Sequence, residues 1–337
     1  MSVPLWVWGA TVALVVGMVL FDFFSHVRTP HEPTFKESVR WSVFYIALAI
    51  IFGIGLALVW GGGHGTEYFA GYITEKSLSV DNLFVFLIIM TKFKVPRMYQ
   101  QKVLLVGVVI ALVLRTVFIL AGAAAIERYS WVFYIFGAFL IYTALKLAFE
   151  KHEDEDPEAA AAARKDGLAV RMMKKVVPTT DVYHGDRLTT VIDGKRFMTP
   201  MLVVMVAIGS TDVLFALDSI PAIYGLTKEP FIVFTTNAFA LLGLRQLYFL
   251  LGGLLERLVY LAQGLSVILA FIGVKLVLEA LHTNELSFIN GGEHVAWAPE
   301  IPIWLSLSVI LGTLAVATVA SLAKTRKDAR LAAQPGE

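Results

Sequence analysis

Cysteine is absent from this sequence of 337 residues. Its absence excludes structural disulfides, thiolate metal sites and redox chemistry that works through thiols. Two motifs of metal and nucleotide enzymes are also missing. The seven histidines show no HxxxH or HExxH spacing, and Gly61-Gly-Gly-His-Gly65 is not followed by the Lys-Ser/Thr of a phosphate-binding loop. We therefore expect neither enzymatic activity nor a prosthetic group.

Charged residues are scarce as well. They make up 16% of the chain, whereas hydrophobic residues make up 57% and the mean hydropathy is +0.71. A soluble domain has about 25% charged residues, so the composition indicates a membrane protein and gives no sign of a nucleic-acid partner. No basic residue precedes the first apolar run, Met1–Phe24. This argues against a cleaved signal peptide and for a first span that enters with its N-terminus outside.

Nine apolar stretches are long enough to cross a hydrocarbon core of about 30 Å, which needs roughly 20 helical residues. They are residues 3–24, 40–60, 68–91, 102–122, 130–149, 200–224, 230–250, 261–281 and 301–323. With the N-terminus outside, 21 lysines and arginines fall in inside segments and two, Arg128 and Lys228, fall outside. The positive-inside rule thus predicts an all-α, multi-pass protein of a prokaryotic plasma membrane, with its N-terminus out and its C-terminus in.

One segment between the spans, residues 150–199, is long enough to have structure of its own outside the bilayer. Its acidic start, Glu150–Asp156, is typical of a solvated loop. Ala159–Lys175 is expected to form an amphipathic helix on the inner leaflet, and Arg187–Thr199 a β-hairpin that turns at Asp193-Gly194. The predicted organisation is peripheral helices 1–60, a three-helix unit 68–149, the cytoplasmic loop 150–199, a second three-helix unit 200–282, a ninth helix 300–323 and a cytoplasmic tail 324–337.

Spans three to five resemble spans six to eight. Glu75…Asp81-Asn82 aligns with Asp212…Asp218-Ser219 at the same spacing, Leu114-Arg115 aligns with Leu244-Arg245, and Lys146…Glu150 aligns with Lys275…Glu279. Because each unit has three spans, the second crosses the membrane in the opposite sense. Such a 3+3 inverted repeat is typical of transporters, whose substrate sites lie near the midplane between the repeats. Chance similarity is the alternative, but the matching residues are the charged ones that membrane insertion penalises.

Carboxylates inside predicted spans need an explanation, because each costs roughly 2.5–3.5 kcal/mol at the centre of a spanning helix. A bound cation is the simplest one. Together with an amide and a hydroxyl they form a set of oxygen ligands, which suits hard cations such as Mn²⁺, Mg²⁺ or Ca²⁺. The predicted metal site consists of Glu75, Asp81, Asn82, Asp212, Asp218 and Ser219. Further candidates are Asp22, Ser79, Thr211 and Asn237.

Helical geometry separates the two acids of each motif. Glu75 and Asn82 share one stripe of a helix, whereas Asp81 is turned away by about 100°; the same holds for Asp218 in the second motif. A helix break or a facing helix must therefore bring the acids together. Pro221 is the predicted break, because proline has no N–H to donate to the carbonyl four residues earlier.

A structural role is the alternative for these charged groups. The basic residues Lys76, Arg115, Lys146, Arg245 and Lys275 can neutralise the acids as buried ion pairs. The Lys146–Glu150 and Lys275–Glu279 pairs are four residues apart near span ends, which is typical of structural pairs. Asp22 can be a satisfied acid at a span end, and Asn237 can join helices by hydrogen bonding.

Longer strings around these residues resemble the TerC family of integral membrane proteins, over roughly residues 5–323. The strings are Glu75-Lys-Ser-Leu-Ser-Val-Asp-Asn-Leu-Phe-Val-Phe86, Leu114-Arg-Thr116, Tyr134-Ile-Phe-Gly-Ala-Phe139, Asp212-Val-Leu-Phe-Ala-Leu-Asp-Ser-Ile-Pro-Ala-Ile223 and Gly243-Leu-Arg-Gln-Leu-Tyr-Phe249. The resemblance implies a relation to lysine exporters and a role in manganese efflux, with the six predicted ligands lining the metal path. For some members it implies metallation of exported enzymes or tellurium resistance. Gly209 stands where many members have a glutamate, which alters the charge of the site.

The predicted function is export of a divalent cation, Mn²⁺ before others. Moving a 2+ ion outward against 100 mV costs about 4.6 kcal/mol; since no ATPase motif is present, proton antiport is the hypothesis for coupling. Metal selectivity, coupling ion, oligomeric state and tellurite resistance stay open, although carboxylates repel an oxyanion. The alternative is a membrane scaffold that assists the secretion machinery or the metallation of exported proteins. An intramembrane aspartyl protease needs Gly-x-Gly before its aspartate, whereas Phe215-Ala-Leu precedes Asp218.

Overall fold

The computed structural model describes residues 1–27, 31–129, 131–149, 179–180, 182–192, 194–251, 259–284, 286, 288–295 and 297–332. The side chains of residues 26, 27, 81, 84, 92, 251 and 327–332 also lie outside the description. The acidic start and the amphipathic helix predicted within residues 150–199 therefore fall outside the described residues.

The described chain is mostly helical. Its helices are α1 (Leu5–Asp22), α2 (Phe35–Trp60), α3 (Gly62–Lys92), α4 (Arg97–Arg128), α5 (Val132–Phe149), α6 (Pro200–Tyr224), α7 (Pro230–Leu242), α8 (Leu244–Leu251), α9 (Leu261–His282) and α10 (Ile303–Ala332). A π-helical turn, Phe23–Val27, extends α1, and a 3₁₀ turn, Asn290–Gly292, lies between α9 and α10.

Seven helices within the described ranges are long and apolar enough to cross a membrane. They are α1, α2, α4, α5, α6, α9 and α10. Each has 18 or more residues, close to or above the roughly 20 apolar residues that are needed to cross a hydrocarbon core. The chain is thus an all-α, multi-pass membrane protein.

The third and seventh predicted spans do not meet the same criteria, so the count of nine is not confirmed. α3 has 31 residues, about 46 Å at 1.5 Å per residue, but every stretch of 18 residues in it contains at least three charged residues. The predicted span 230–250 is divided at Gly243 into α7, of 13 residues, and α8, of 8 residues. A helix of 13 residues is too short to cross by itself.

The predicted break at Pro221 is wrong, because α6 continues through Pro221 to Tyr224. Only three residues of the helix follow the proline, so its missing N–H affects the last turn alone. The helix is closed normally by the N–H of Gly225, which donates to the carbonyl of Pro221 at 3.0 Å. The interruption in this half of the chain lies at Gly243.

The core lies where α3, α4, α6 and α7 pack together. One apolar cluster joins all four helices and includes Leu83, Val108, Met205, Ile208 and Leu241. Beside this core, α5 and α9 form the closest helix pair. Gly137 and Gly273 permit their approach: a Cβ on Gly273 would lie 3.0 Å from the carbonyl oxygen of Gly137, and one on Gly137 would lie 2.8 Å from that of Gly273.

Two short strands, β1 (Thr189–Ile192) and β2 (Lys195–Met198), pair antiparallel inside the segment predicted as a hairpin. Gly194 occupies the turn with a φ of +76°, a conformation that glycine adopts readily. The adjoining residues attach to the ends of α3 and α4. The Tyr183 hydroxyl donates to the carbonyl of Phe93 at 2.7 Å, and Lys102 Nζ donates to Asp186 Oδ2 at 2.7 Å.

We call this side of the molecule the hairpin face. The opposite face contains Gly61, Arg128 and the connection from Thr283 to Glu300. The hydrogen bond from Lys102 holds the pKa of the Asp186 carboxyl below its ordinary value. Burial raises the pKa of Tyr183 to about 12, so its hydroxyl stays a donor at neutral pH.

Candidate functional site

A buried ion-pair cluster lies in the middle of the core, and we call it the central cluster: Glu75, Arg115, Asp212 and Ser219. Arg115 Nε donates to Asp212 Oδ2 at 2.9 Å, and its Nη2 donates to Asp212 Oδ1 at 3.0 Å. Its Nη1 donates to Glu75 Oε1 and, at 3.1 Å, to the Ser219 hydroxyl. None of the four residues is more than 1% exposed. One guanidinium thus joins α3, α4 and α6 at mid-depth.

Helical periodicity explains why these residues meet. Asp212 and Ser219 are seven residues apart on α6, which places them on one stripe two turns apart. Arg115 has a planar fork of donors that fits a carboxylate with two parallel bonds and still leaves Nη1 for other acceptors. The cluster therefore contains two acids and one base, and its acids are only partly neutralised.

Several polar atoms of α3 and α7, two of the core helices, are buried and have no hydrogen-bond partner among the described residues. They are Glu75 Oε2, Thr74 Oγ1, Ser79 Oγ and both side-chain atoms, Oδ1 and Nδ2, of Asn237. A buried polar group without a partner costs free energy, and the penalty is larger in a bilayer, where water is excluded. Oxygen atoms of this kind are suited to hold a hard cation.

Asn237 lies on the stripe of α7 that faces the other core helices. One turn before it, Val233 packs with Ala216 and Ile220 of α6. One turn after it, Leu241 packs with Leu83 of α3 and with Ile208 of α6. Its amide is 1% exposed. Asn237 therefore lies on the side of α7 that packs against α3 and α6.

The second acid of the α6 motif lies apart from the central cluster. Asp218 is half-buried, and the Thr143 hydroxyl of α5 donates to its Oδ1 at 3.1 Å. This agrees with the helical geometry, which turns Asp218 away from the stripe of Asp212. In α3 the corresponding side chain, that of Asp81, lies outside the described residues, and Asn82 is 5% exposed.

Two other candidates have partners in their own surroundings. The Thr211 hydroxyl donates to the carbonyl of Ala207, one turn earlier in α6, at 2.8 Å. Asp22 belongs to a second buried network near the hairpin face, where Arg245 Nη2 donates to its Oδ1 at 2.9 Å and the Tyr45 hydroxyl donates to the same oxygen at 2.6 Å. Gln101 accepts from Arg245 Nη1 at 3.1 Å.

The basic residues have unequal roles. Arg115 and Arg245 each pair with an acid, whereas Lys76 Nζ donates to the carbonyl of Ala240, near the C-terminus of α7, at 3.0 Å. In the described chain, no group of three or more histidine, aspartate or glutamate side chains is arranged to hold a metal. Sequence reasoning named Arg115 as a possible neutralising partner, but it missed Tyr45, Gln101 and Thr143. No spacing pattern marks these three residues.

Residues 60–329 match the family of integral membrane proteins named TerC. The chain belongs to this family. An uncharacterized membrane protein of Mycobacterium tuberculosis strain H37Rv is 50% identical over 325 residues, which is 96% of this chain and 81% of that protein.

Two more distant TerC relatives are also similar along nearly their whole length. An uncharacterized membrane protein of Myxococcus xanthus is 39% identical over 319 residues, covering 95% of this chain and 92% of that protein. The protein of Escherichia coli K12 named "Putative membrane-bound redox modulator Alx" is 36% identical over 316 residues, covering 91% of each. No solved structure matches this TerC chain.

Proposed function

We propose that this TerC protein is a secondary transporter of the prokaryotic plasma membrane that exports divalent cations, Mn²⁺ before others. The observation that carries the proposal is the central cluster with its unpartnered neighbours. Two carboxylates near the middle of different helices meet on one arginine, and buried oxygen atoms of Glu75, Ser79 and Asn237 in the core helices lack partners among the described residues. Intramembrane acids mark ion pathways by default.

The packing of the helices supports an inverted repeat. In such a repeat α3, α4 and α5 correspond to α6, α7–α8 and α9. Since α3 corresponds to α6 and α4 corresponds to α7, the contact of α3 with α7 is equivalent to the contact of α6 with α4. Both contacts are among the most extensive between the described helices. The helices α5 and α9 correspond to each other in the repeat, and they pack together through facing glycines. The interruption at Gly243 is the kind of discontinuous helix found at transporter sites.

In the proposed mechanism, Arg115 occupies the place of the transported ion when none is bound. An arriving cation displaces the guanidinium from Glu75 and Asp212, and the Ser219 hydroxyl and the Asn237 amide oxygen supply neutral ligands. Asp218, Asp81 and Asn82 are proposed to line the path beyond the central cluster. These are hard oxygen ligands, which Mn²⁺ accepts and Cu²⁺ or Zn²⁺ does not prefer. Proton entry is the proposed source of the energy that export requires.

A scaffold in the membrane is the second candidate function. The observation that favours it is the hairpin, which is fastened to the helix ends by Tyr183 and Lys102 and exposes Val191. In that case the chain would assist secretion or the metallation of exported proteins. The name of the Alx relatives refers to redox modulation, and we do not extend thiol chemistry to a chain without cysteine.

Transport in vesicles of defined lipid tests the proposal. We expect Mn²⁺ flux into inverted vesicles that is driven by an imposed pH gradient, and we expect its loss in Asp212→Asn, which keeps the shape of the side chain and removes its charge. Asp186→Asn, which removes the charge that pairs with Lys102 beside the hairpin, serves as the control and should transport normally. Unchanged flux in Asp212→Asn contradicts the proposed site. A complete absence of Mn²⁺ flux with folded wild-type protein favours the scaffold.

A further inference from the structure

A long apolar groove runs between α9 and α10 on the outside of the molecule. Its volume is about 640 Å³, and Val267 of α9 and Gly312, Val316 and Ala320 of α10 are among its walls. Val316 is 70% exposed and Val267 is 52% exposed, so the groove opens sideways toward the bilayer. A Cβ on Gly312 would meet nothing within 4 Å, which shows that the space is open up to the backbone of α10.

The groove has the depth of one lipid leaflet. Its walls extend along α10 from Ser308 to Ala320, which is about 18 Å at 1.5 Å per residue. One half of a hydrocarbon core of about 30 Å is about 15 Å. At the hairpin face the groove begins at Tyr260, the residue that precedes α9. It therefore fits an acyl chain of the leaflet on that face.

Positive charge lies at the hairpin-face end of the groove. Lys324 Nζ is 5.4 Å from the ring centroid of Tyr260. Arg326, two residues further along α10, is exposed. The N–H of Tyr260 donates to the Ser321 hydroxyl at 2.9 Å, which holds this end of the groove against α10. A negatively charged headgroup above the acyl chain would meet Lys324.

A second groove provides the comparison. It lies between α1 and α2, has a volume of about 500 Å³, and has Trp6, Phe52 and Trp60 among its walls. No lysine or arginine is among the residues that line it. It lies toward the opposite face, where Trp60 Nε1 donates to the carbonyl of Ser2. Of these two grooves, the α9–α10 groove is the one with a lysine, Lys324, in contact with a residue of its wall.

We propose that the α9–α10 groove binds an acidic glycerophospholipid of the inner leaflet. The acyl chain fills the space beside Gly312, and Lys324 binds the phosphate. The inner leaflet is the one rich in anionic lipid, and basic side chains between spanning helices on that side are typical headgroup sites. The proposal rests on the orientation with the hairpin face inside, and it does not depend on cation export.

Native mass spectrometry of the full-length protein tests this site. The protein is reconstituted in nanodiscs of mixed phosphatidylcholine and phosphatidylglycerol and then partly delipidated. We expect the wild type to retain phosphatidylglycerol preferentially. Gly312→Leu, which fills the groove, should lose the retained lipid. Lys324→Gln should reduce the preference roughly fivefold, the factor for one basic residue near an anionic surface. Ala10→Leu, which fills the α1–α2 groove, should leave the preference unchanged.

Three results would overturn the proposal. One is equal retention of both lipids by the wild type, and another is unchanged retention by Gly312→Leu. The third is a dimer that dissociates in Gly312→Leu while the lipid bound per chain stays the same, because this result assigns the groove to a second copy. Lys324 is exposed, so Lys324→Gln keeps the test decisive even if Gly312→Leu fails to fold.

Discussion

Arg115 is the residue on which the arrangement of the core depends. Its guanidinium is fully buried and contacts three side chains from two other helices. Removing one partner of a buried ion pair costs about 3–5 kcal/mol, because a charge is left without compensation. Because Arg115 neutralises Glu75 and Asp212, it would compete with a cation for these two carboxylates in the proposed transport. A cation that displaces Arg115 must supply positive charge to both of them.

Asn237 offers a way to separate stability from function at the level of one residue. Its amide is buried and both of its polar atoms lack partners among the described residues. Asn237→Leu removes them at similar volume, so we expect the free energy of unfolding to rise by about 1–3 kcal/mol. If the amide oxygen is a ligand, Mn²⁺ flux should fall in the same variant. Thermal melts in detergent and vesicle flux measure the two effects.

The matched control for this prediction is Asn284→Leu. The Asn284 amide is also buried, but its Nδ2 donates to the carbonyls of Ile289 at 2.6 Å and Glu293 at 3.2 Å. Its replacement should therefore lower stability and leave flux per folded molecule unchanged. A melting temperature of Asn237→Leu below that of the wild type would show that the amide has partners in the membrane that stabilise the fold.

At the scale of elements, the α5–α9 contact is the most extensive between the described helices, and two facing glycines permit it. A Cβ on Gly273 would lie 3.0 Å from the carbonyl oxygen of Gly137 and 2.9 Å from Ile141 Cγ1. Backbone atoms of two packed helices cannot move apart locally. We therefore expect Gly273→Ala to lower stability by about 1–3 kcal/mol through overpacking, as a reduced melting temperature in detergent.

Gly17→Ala in α1 is the control for that substitution. A Cβ on Gly17 would meet nothing within 4 Å, and alanine favours a helix over glycine by about 1 kcal/mol. This variant should be as stable as the wild type or more so. If both alanine variants have the same melting temperature, the two helices do not depend on their close approach.

Local patterns predicted some elements and not others, for identifiable reasons. The hairpin could be predicted because its turn needs a residue that adopts a positive φ, such as Gly194. The position of Asp212 and Ser219 on one side of α6 could also be predicted, because it follows from helix periodicity alone. The pairing of Arg245 with Asp22 could not be predicted, since the two residues are 223 positions apart and the repeat suggested a role like that of Arg115. Pro221 was misleading because a proline close to the helix end disturbs few hydrogen bonds.

The helix interruption at Gly243 was not predicted from the sequence either, because residues 230–250 as a whole are apolar enough for one span. Hydropathy reports how apolar a segment is and contains no information about where the backbone bends. In the structure Gly243 separates α7 from α8, and Lys76 donates to the Ala240 carbonyl just before it. A cation at the C-terminal end of a helix is stabilised by the helix dipole. Long-range contacts of this kind determine the site, and no local signal encodes them.

At the scale of the whole molecule, the two faces differ in charge. Among the described residues, Lys102, Lys324 and the hairpin with Lys195 and Arg196 lie on the hairpin face, whereas Arg128 lies on the opposite face. The positive-inside rule places such a face in the cytoplasm. The orientation decides which leaflet the α9–α10 groove faces, so it is the first property to measure.

Orientation can be measured by labelling single introduced cysteines. Because the chain has no cysteine of its own, the label has no other thiol in it to react with. Val191 on β1 is 64% exposed and Phe288 on the opposite face is 81% exposed, so cysteine at either position is accessible and disturbs no packing. In intact cells we expect a membrane-impermeant maleimide to label Phe288→Cys and to label Val191→Cys only after permeabilisation. The unsubstituted chain should stay unlabelled. The reverse pattern would place the hairpin outside and the α9–α10 groove in the outer leaflet, which contradicts the proposed binding of an inner-leaflet lipid.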